Sequence, residues 1–285
     1  MKKSIAILIA STLLASGLFA YSDADMDGVA DSADQCPNTP FTDLVDLRGC
    51  TIKKVKLKQP IQWNADVILG INYSNSNFGS SNQADTYSTS LQTDFYYKKF
   101  SLQASTSYYK ATGQNYNEKG FNDSFIGAGY SFNPLDNLFL HFGIGALLPT
   151  YNSSLNNNNT DYTASTSLSY TKGDINIFGG YSYTIINDDD VNTTNNNTYI
   201  YQNTNAYNIG LGYYFTNKLY MSGSYNLSNS IYKSINNGKI EDIKTASIYG
   251  YYTLNKNIFL IFSYARGLSD SASDNAFTLK AGYYF

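Results

Sequence analysis

From about residue 60 onward one pattern repeats: apolar and polar residues alternate singly over stretches of about ten. In SLQASTSYY, Leu102, Ala104, Thr106 and Tyr108 fall on one face, with Gln103, Ser105 and Ser107 on the other. In FTLKAGYYF, Phe277, Leu279, Ala281, Tyr283 and Phe285 share a face opposite Thr278, Lys280, Gly282 and Tyr284. A period of two is that of a β-strand between two different environments. No stripe of period 3.6 is sustained, and no apolar run after residue 20 reaches the roughly 18 residues of a membrane helix. The pattern predicts twelve strands, near 65–74, 87–98, 100–111, 121–132, 138–148, 161–171, 174–186, 206–215, 218–228, 243–254, 257–266 and 276–285.

The links between these strands alternate in length. Tight turns at Lys98–Phe100, NPLDN, TKGD, TNK and NKN are separated by long polar links such as TGQNYNEKG, PTYNSSLNNNNT and NDDDVNTTNNNTYIYQNTN. A soluble sandwich has no reason to put every long link at one end. A transmembrane barrel does, with short turns on one side of the bilayer and long loops on the other.

The two faces agree with this. The faces opposite the apolar ones are mostly Ser, Gly, Asn and Thr, too small to fill a twelve-stranded cylinder. The apolar faces are therefore expected to meet lipid, and the small polar ones a wet or plugged interior. Aromatics gather at strand ends: Tyr97, Phe132, Tyr170, Tyr213, Phe215, Tyr252 and Tyr283 by the short turns, and Tyr73, Tyr108, Tyr162, Tyr183, Tyr207 and Phe277 by the long links. Two such girdles at the membrane interfaces account for the 28 Tyr and 16 Phe. The competing reading is a secreted β-sandwich with Tyr-rich strands. Inward-facing candidates with chemistry are Asp66, Asp94, Asp123, His141 and Lys280, with Asn72, Gln92, Gln103, Asn176, Asn208 and Asn226 beside them.

On these features residues 60–285 resemble the outer-membrane β-barrel proteins of Gram-negative bacteria. That family typically ends in Phe preceded by alternate apolar residues, a signal read by the barrel-assembly machinery, and Phe277, Leu279, Ala281, Tyr283 and Phe285 match it. The resemblance implies an all-β, transmembrane antiparallel barrel in contact with outer-membrane lipid and lipopolysaccharide. It implies no particular activity, because the fold hosts pores, enzymes and structural proteins.

The first 60 residues are different. Residues 1–20 have the basic start, short apolar run and small terminal residues of a secretory signal peptide, the alternative being a retained anchor helix. Residues 21–59 form a second, periplasmic unit, because an even strand count leaves both chain ends on the short-turn side. This unit contains the stretch DADMDGVADSADQC. With Asp23 at position 1, Asp25, Asp27, Val29, Asp31 and Asp34 occupy positions 3, 5, 7, 9 and 12, and Gly28 the turn at 6. That is the spacing of a Ca²⁺ loop, with Val29 giving its carbonyl. Asp in place of Glu at the last position implies weak affinity, on the order of 10⁻⁴ to 10⁻³ M. No helices flank it, so it is no switching EF-hand. It resembles a thrombospondin type 3 repeat, and CPNTPFTDLVDLRGC is similar to the linker found with such repeats in the outer-membrane protein A family. The competing reading is an acidic disordered linker. Cys36 and Cys50, the only cysteines, are expected to pair in an oxidising compartment.

Charge and chemistry narrow the function. Residues 21–50 carry seven Asp and one Arg, whereas residues 51–285 carry 16 Lys+Arg against 15 Asp+Glu. The barrel is nearly neutral, so nucleic acid is not indicated as a partner. His141 is the only imidazole, and its alternation with Gly143 and Gly145 turns it inward near the short-turn end. A lipase-type site belongs at the lipid boundary near the loops, so no enzyme is expected. The leading expectation is a porin-like passive channel for small polar solutes, weakly ion-selective because inward charges are few. The alternative is a surface-exposed structural or adhesive protein with a plugged lumen, its long loops meeting a surface ligand.

Overall fold

A computed structural model describes residues 23–25, 29–39, 44–53, 63–77, 83–113, 116–151, 159–188, 191–192, 198–234 and 240–285. Twelve long strands form the wall: β1 (Trp63–Ser76), β2 (Ala84–Tyr97), β3 (Phe100–Gly113), β4 (Ser124–Leu135), β5 (Leu138–Leu148) and β6 (Asp161–Lys172), then β7 (Ile175–Ile185), β8 (Thr204–Thr216), β9 (Leu219–Ser234), β10 (Ile240–Thr253), β11 (Ile258–Gly267) and β12 (Asn275–Tyr284). Each pairs antiparallel with its neighbours in sequence, and β12 pairs with β1 from Asn275↔Asn75 to Tyr284↔Asp66. The sheet is therefore a closed antiparallel barrel without free edges along its seam, and Phe285 adds a backbone bond from its N–H to the Ala65 carbonyl at 2.9 Å. Each expected strand corresponds to one of these, with ends shifted by a few residues.

The short connections are 98–99, 136–137, 173–174, 217–218 and 254–257. In two of the two-residue turns the left-handed position falls at Lys98 (φ 56°) and Gly173 (φ 61°), the twist a tight antiparallel hairpin needs. At the other end the strands run further than the alternation suggested. Residues Tyr116–Phe121 pair back onto β3, and Thr198–Tyr201 pair with the outer part of β9. The link expected over 228–242 contracts to 235–239, because a register shift between Asn229 and Lys233 lets the β9–β10 ladder continue. Polar composition marks such segments as solvated, and backbone pairing does not need apolar side chains where water covers both faces.

The wall has two unlike sides. Leu69, Ile71, Ile126, Ile209, Leu211 and Leu279 point outward and are exposed, and Ile144 is 67% exposed. The aromatics expected in the two girdles also lie on this outer side, where Tyr73 stacks against Phe277 and Tyr213 meets Phe215 edge-on. The inward side is bridged strand to strand by short polar side chains: Asn72 donates to Ser88 Oγ at 3.2 Å, Thr278 Oγ1 to Asn72 Oδ1 at 2.8 Å, and Asn226 to Ser247 Oγ at 3.0 Å.

One expectation needs correction. The interior is not small and polar throughout. Near the short turns Tyr96, Tyr214, Tyr220, Tyr249, Tyr251 and Phe259 turn inward, and Tyr251 and Phe259 are 1% and 0% exposed. Two of these rings lie against glycines of the next strand, Tyr220 on Gly212 and Phe259 on Gly282, where any Cβ would collide with them. Large rings fit inside here because a separate piece of chain meets them.

Candidate functional site

That piece is the N-terminal segment. Ala30 and Ala33 are buried in one cluster with Ile68, Tyr214, Tyr220, Tyr251 and Phe259, with Val29, Tyr249, Ile261 and Tyr284 packed around it. The Tyr214 hydroxyl donates to the Asp31 carbonyl at 2.6 Å, and Ser32 hydrogen-bonds Tyr249. On the other side of the segment Asn38 donates to the Asp136 carbonyl at 3.0 Å in the β4–β5 turn and accepts from Asn133 at 2.9 Å. Residues 29–38 therefore occupy the short-turn mouth, held by wall strands from different parts of the circumference. The segment brings small alanines to an aromatic floor. Apolar contact supplies the seat, and a few hydrogen bonds to its backbone fix the orientation.

Within the segment the fold is stapled. Cys36 and Cys50 form a disulfide, and Leu44–Val45 pairs antiparallel with Thr51–Lys53. Thr39 ties three stretches together: its N–H donates to Asp25 Oδ2 at 2.6 Å, and its hydroxyl reaches the Cys36 and Gly49 carbonyls at 2.8 and 2.5 Å. Burial raises the Asp46 carboxyl, but the Arg48 guanidinium and the N–H groups of Arg48 and Cys50 outweigh it and hold Asp46 below its ordinary value.

The expected calcium ligands can be placed apart from Asp27, which lies outside the described residues. Asp31 Oδ1 accepts from the Ala24 N–H at 2.6 Å, and Asp34 Oδ1 from Cys36 at 2.8 Å. Asp34 Oδ2 is buried without a hydrogen-bond partner among the described residues. Desolvation first, and the charge of Asp25 second, push the Asp34 carboxyl up to about 8. Hard oxygen donors of this kind suit Ca²⁺. Among the described residues, however, no three His, Cys, Asp or Glu side chains converge on one point.

The inward-facing candidates fall at different heights. Asp66 and Asp94 are directly opposed in the β1–β2 register, and Gln92 Nε2 donates to Asp94 Oδ2 at 2.8 Å. Lys280 lies two inward positions further along, level with Gly70 and with its stem against that glycine. His141 Nδ1 and the Ser131 hydroxyl are 2.9 Å apart on the neighbouring strand, with no carboxylate in that contact. Asp123 is outside the strands, at the long-loop rim, where its Oδ1 accepts the Tyr151 N–H at 3.0 Å. Phe277, Leu279, Ala281, Tyr283 and Phe285 all face outward.

Sequence reading missed two things here. The first is the aromatic floor, signalled by adjacent rings at strand ends: Tyr96–Tyr97, Tyr213–Tyr214–Phe215 and Tyr251–Tyr252 put rings on both faces. The second is a rim cluster at the loop end. Tyr109 packs on Tyr151 with ring centroids 5.8 Å apart, and Tyr201 on Tyr232 at 5.1 Å.

No protein-family model and no curated protein sequence matches the chain. Solved structures do. The COG4313 outer membrane channel from Pseudomonas putida F1 superposes with a TM-score of 0.67 at 11% identity, covering 80% of this chain and 97% of the other. The NanC porin gives 0.51 at 16% identity, covering 77% and 98%. The translocator domain of the autotransporter NalP from Neisseria meningitidis gives 0.50 at 12%, covering 80% and 90%. At such identities the likeness establishes the fold, that of outer-membrane barrels.

Proposed function

We propose that the chain is a porin-like passive channel for small polar solutes in the outer membrane of a Gram-negative bacterium, its periplasmic mouth occupied by its own N-terminal segment. The observation that carries this reading is the two-sided closed wall, with an apolar outer belt and a hydroxyl- and amide-rich inner surface. The belt meets acyl chains and lipopolysaccharide. The C-terminal residues from Phe277 to Phe285 serve the barrel-assembly machinery, and residues 1–20 direct export. Residues 21–59 act as a periplasmic unit similar to a thrombospondin type 3 repeat, in which Asp23, Asp25, Asp27, Val29, Asp31 and Asp34 hold Ca²⁺ as a structural staple and Cys36–Cys50 closes the tail. The barrel carries solutes and performs no catalysis.

Recording from refolded protein in a planar bilayer tests the channel, first with calcium and then with chelator. Discrete conductance steps are expected, and a correctly folded barrel without them removes the reading. Terbium luminescence tests the staple. Saturable binding on the order of 10⁻⁴ to 10⁻³ M, lost in Asp34→Asn, is expected. A second reading is favoured by the segment seated among the floor aromatics: a surface structural or adhesive protein whose lumen is closed. A silent full-length barrel that loses surface binding when its long loops are removed would support that reading.

A further inference from the structure

The outer surface of the barrel carries two facing positive charges that the wall does not neutralise. Tyr116–Phe121 folds back on β3 and sets Lys119 directly opposite Lys110. One outward pair further along the same register, Tyr108 and Phe121 are opposed and meet edge-to-face with centroids 5.3 Å apart. Both rings are exposed on the outer side, and the alternation puts the two exposed lysines on that side with them. Like charges opposed across a strand pair repel, so this arrangement costs stability unless an anion lies beside it.

The protein supplies no such anion here. Among the described residues neither lysine is in an ion pair. Glu118 is paired with the buried Ala111 on the inner side, where its charge acts on Tyr109. Asp85, on the outer side of β2, accepts from the Tyr73 hydroxyl at 2.9 Å. Two other outward cations at the long-loop end are matched by the wall itself: Lys244 pairs with Asp242 at 3.2 Å, and Arg266 donates to Asn275 at 2.9 Å.

The position of the pair along the strand identifies the missing anion. Tyr108 belongs to the girdle on the long-loop side, and Lys110 lies two residues beyond it, about 7 Å along the strand. That is the headgroup level of the outer leaflet. On β2 the row continues with Tyr87, opposite Lys110 and 59% exposed. Ammonium groups at headgroup level, with rings on the bilayer side, fit an amphiphile that carries phosphate above acyl chains.

Resting on the outer-membrane reading above, we infer that Lys110 and Lys119, with Tyr87, Tyr108 and Phe121, form a lipopolysaccharide site on the outer face of the barrel. The two ammonium groups hold one phosphate of lipid A, and the rings lie against its sugar and upper acyl chains.

Native mass spectrometry of the full chain refolded in detergent micelles, titrated with bisphosphorylated lipid A, tests this. Saturable binding is expected, weakened about tenfold in Lys110→Gln/Lys119→Gln. Lys110→Arg/Lys119→Arg keeps the affinity, and Lys244→Gln leaves it unchanged. Without lipid A the glutamine double variant should resist urea at least as well as the parent, because a repulsion has been removed. Its lost binding is then not lost structure. Parent-level binding by that variant, or equal binding of lipid A stripped of phosphate or of phosphatidylglycerol, overturns the site and leaves the outer-membrane reading standing. A chain that forms no heat-modifiable barrel in micelles or lipid vesicles removes both.

Discussion

The short-turn end of the barrel interior and its middle are built on opposite principles. At the short-turn end, rings from β8, β9, β10 and β11 converge on alanines of the N-terminal segment, and the space is filled as in a soluble core. Toward the middle the inward residues are mostly Gly, Ser, Thr and Asn, which bond along the wall from strand to strand, as Ser224 does with Ser247 at 2.7 Å, with single rings such as Phe178 lying on a facing glycine, Gly210. The same alternation produces both regions. What differs is whether the inner face has a partner: where chain is supplied from outside the sheet, the inner face becomes aromatic, and where none is, it stays small and hydrogen-bonded to itself.

The most drastic way to break this contrast is to remove residues 23–53. Single-channel conductance is expected to rise several-fold, since the space among the floor aromatics then opens to solvent. An unchanged conductance would place the limiting constriction elsewhere. Next in size is a charge on the lipid side. Ile144→Arg, at a mid-strand outward position, should lower stability by about 2–4 kcal/mol in urea unfolding from lipid vesicles. Ser167→Arg, inward and paired in register with His141, should alter conductance at little cost in stability. Reducing Cys36–Cys50, 14 residues apart, should cost the segment about 3 kcal/mol. Its effect is read as faster proteolysis within 23–53 with no shift in barrel melting. The smallest effect is expected from Tyr214→Phe, which deletes the bond to the Asp31 carbonyl. A loss of about 1 kcal/mol should appear as faster hydrogen exchange around residues 29–34.

How far these regions could be read in the sequence follows from the same contrast. Strand number and closure were legible because lipid outside and water inside impose strict alternation, as in Phe277 to Phe285. Strand ends such as Ser234 and Ile240 were not, because pairing there continues with water on both sides and the hydrophobic pattern fades. The seating of the N-terminal segment was illegible for another reason. Ala30 and Ala33 carry no sign of their partners, and Tyr214 or Tyr251, put on the inner face by the alternation, carries no sign of what packs against it. The Asp66–Asp94 opposition depends on register, which alternation alone leaves free.

The chain that fills the mouth is also the chain that begins the wall: only residues 54–62 separate the end of the stapled unit at Lys53 from β1 at Trp63. Nine residues span at most about 30 Å when fully drawn out, so a segment leaving its seat would stay within that reach of the mouth. Its return would then be intramolecular, governed by an effective concentration and not by how much protein is present. A seat too feeble to capture a free peptide would be enough to hold this one, and its occupancy would be a property of each single molecule, indifferent to how many copies the membrane holds.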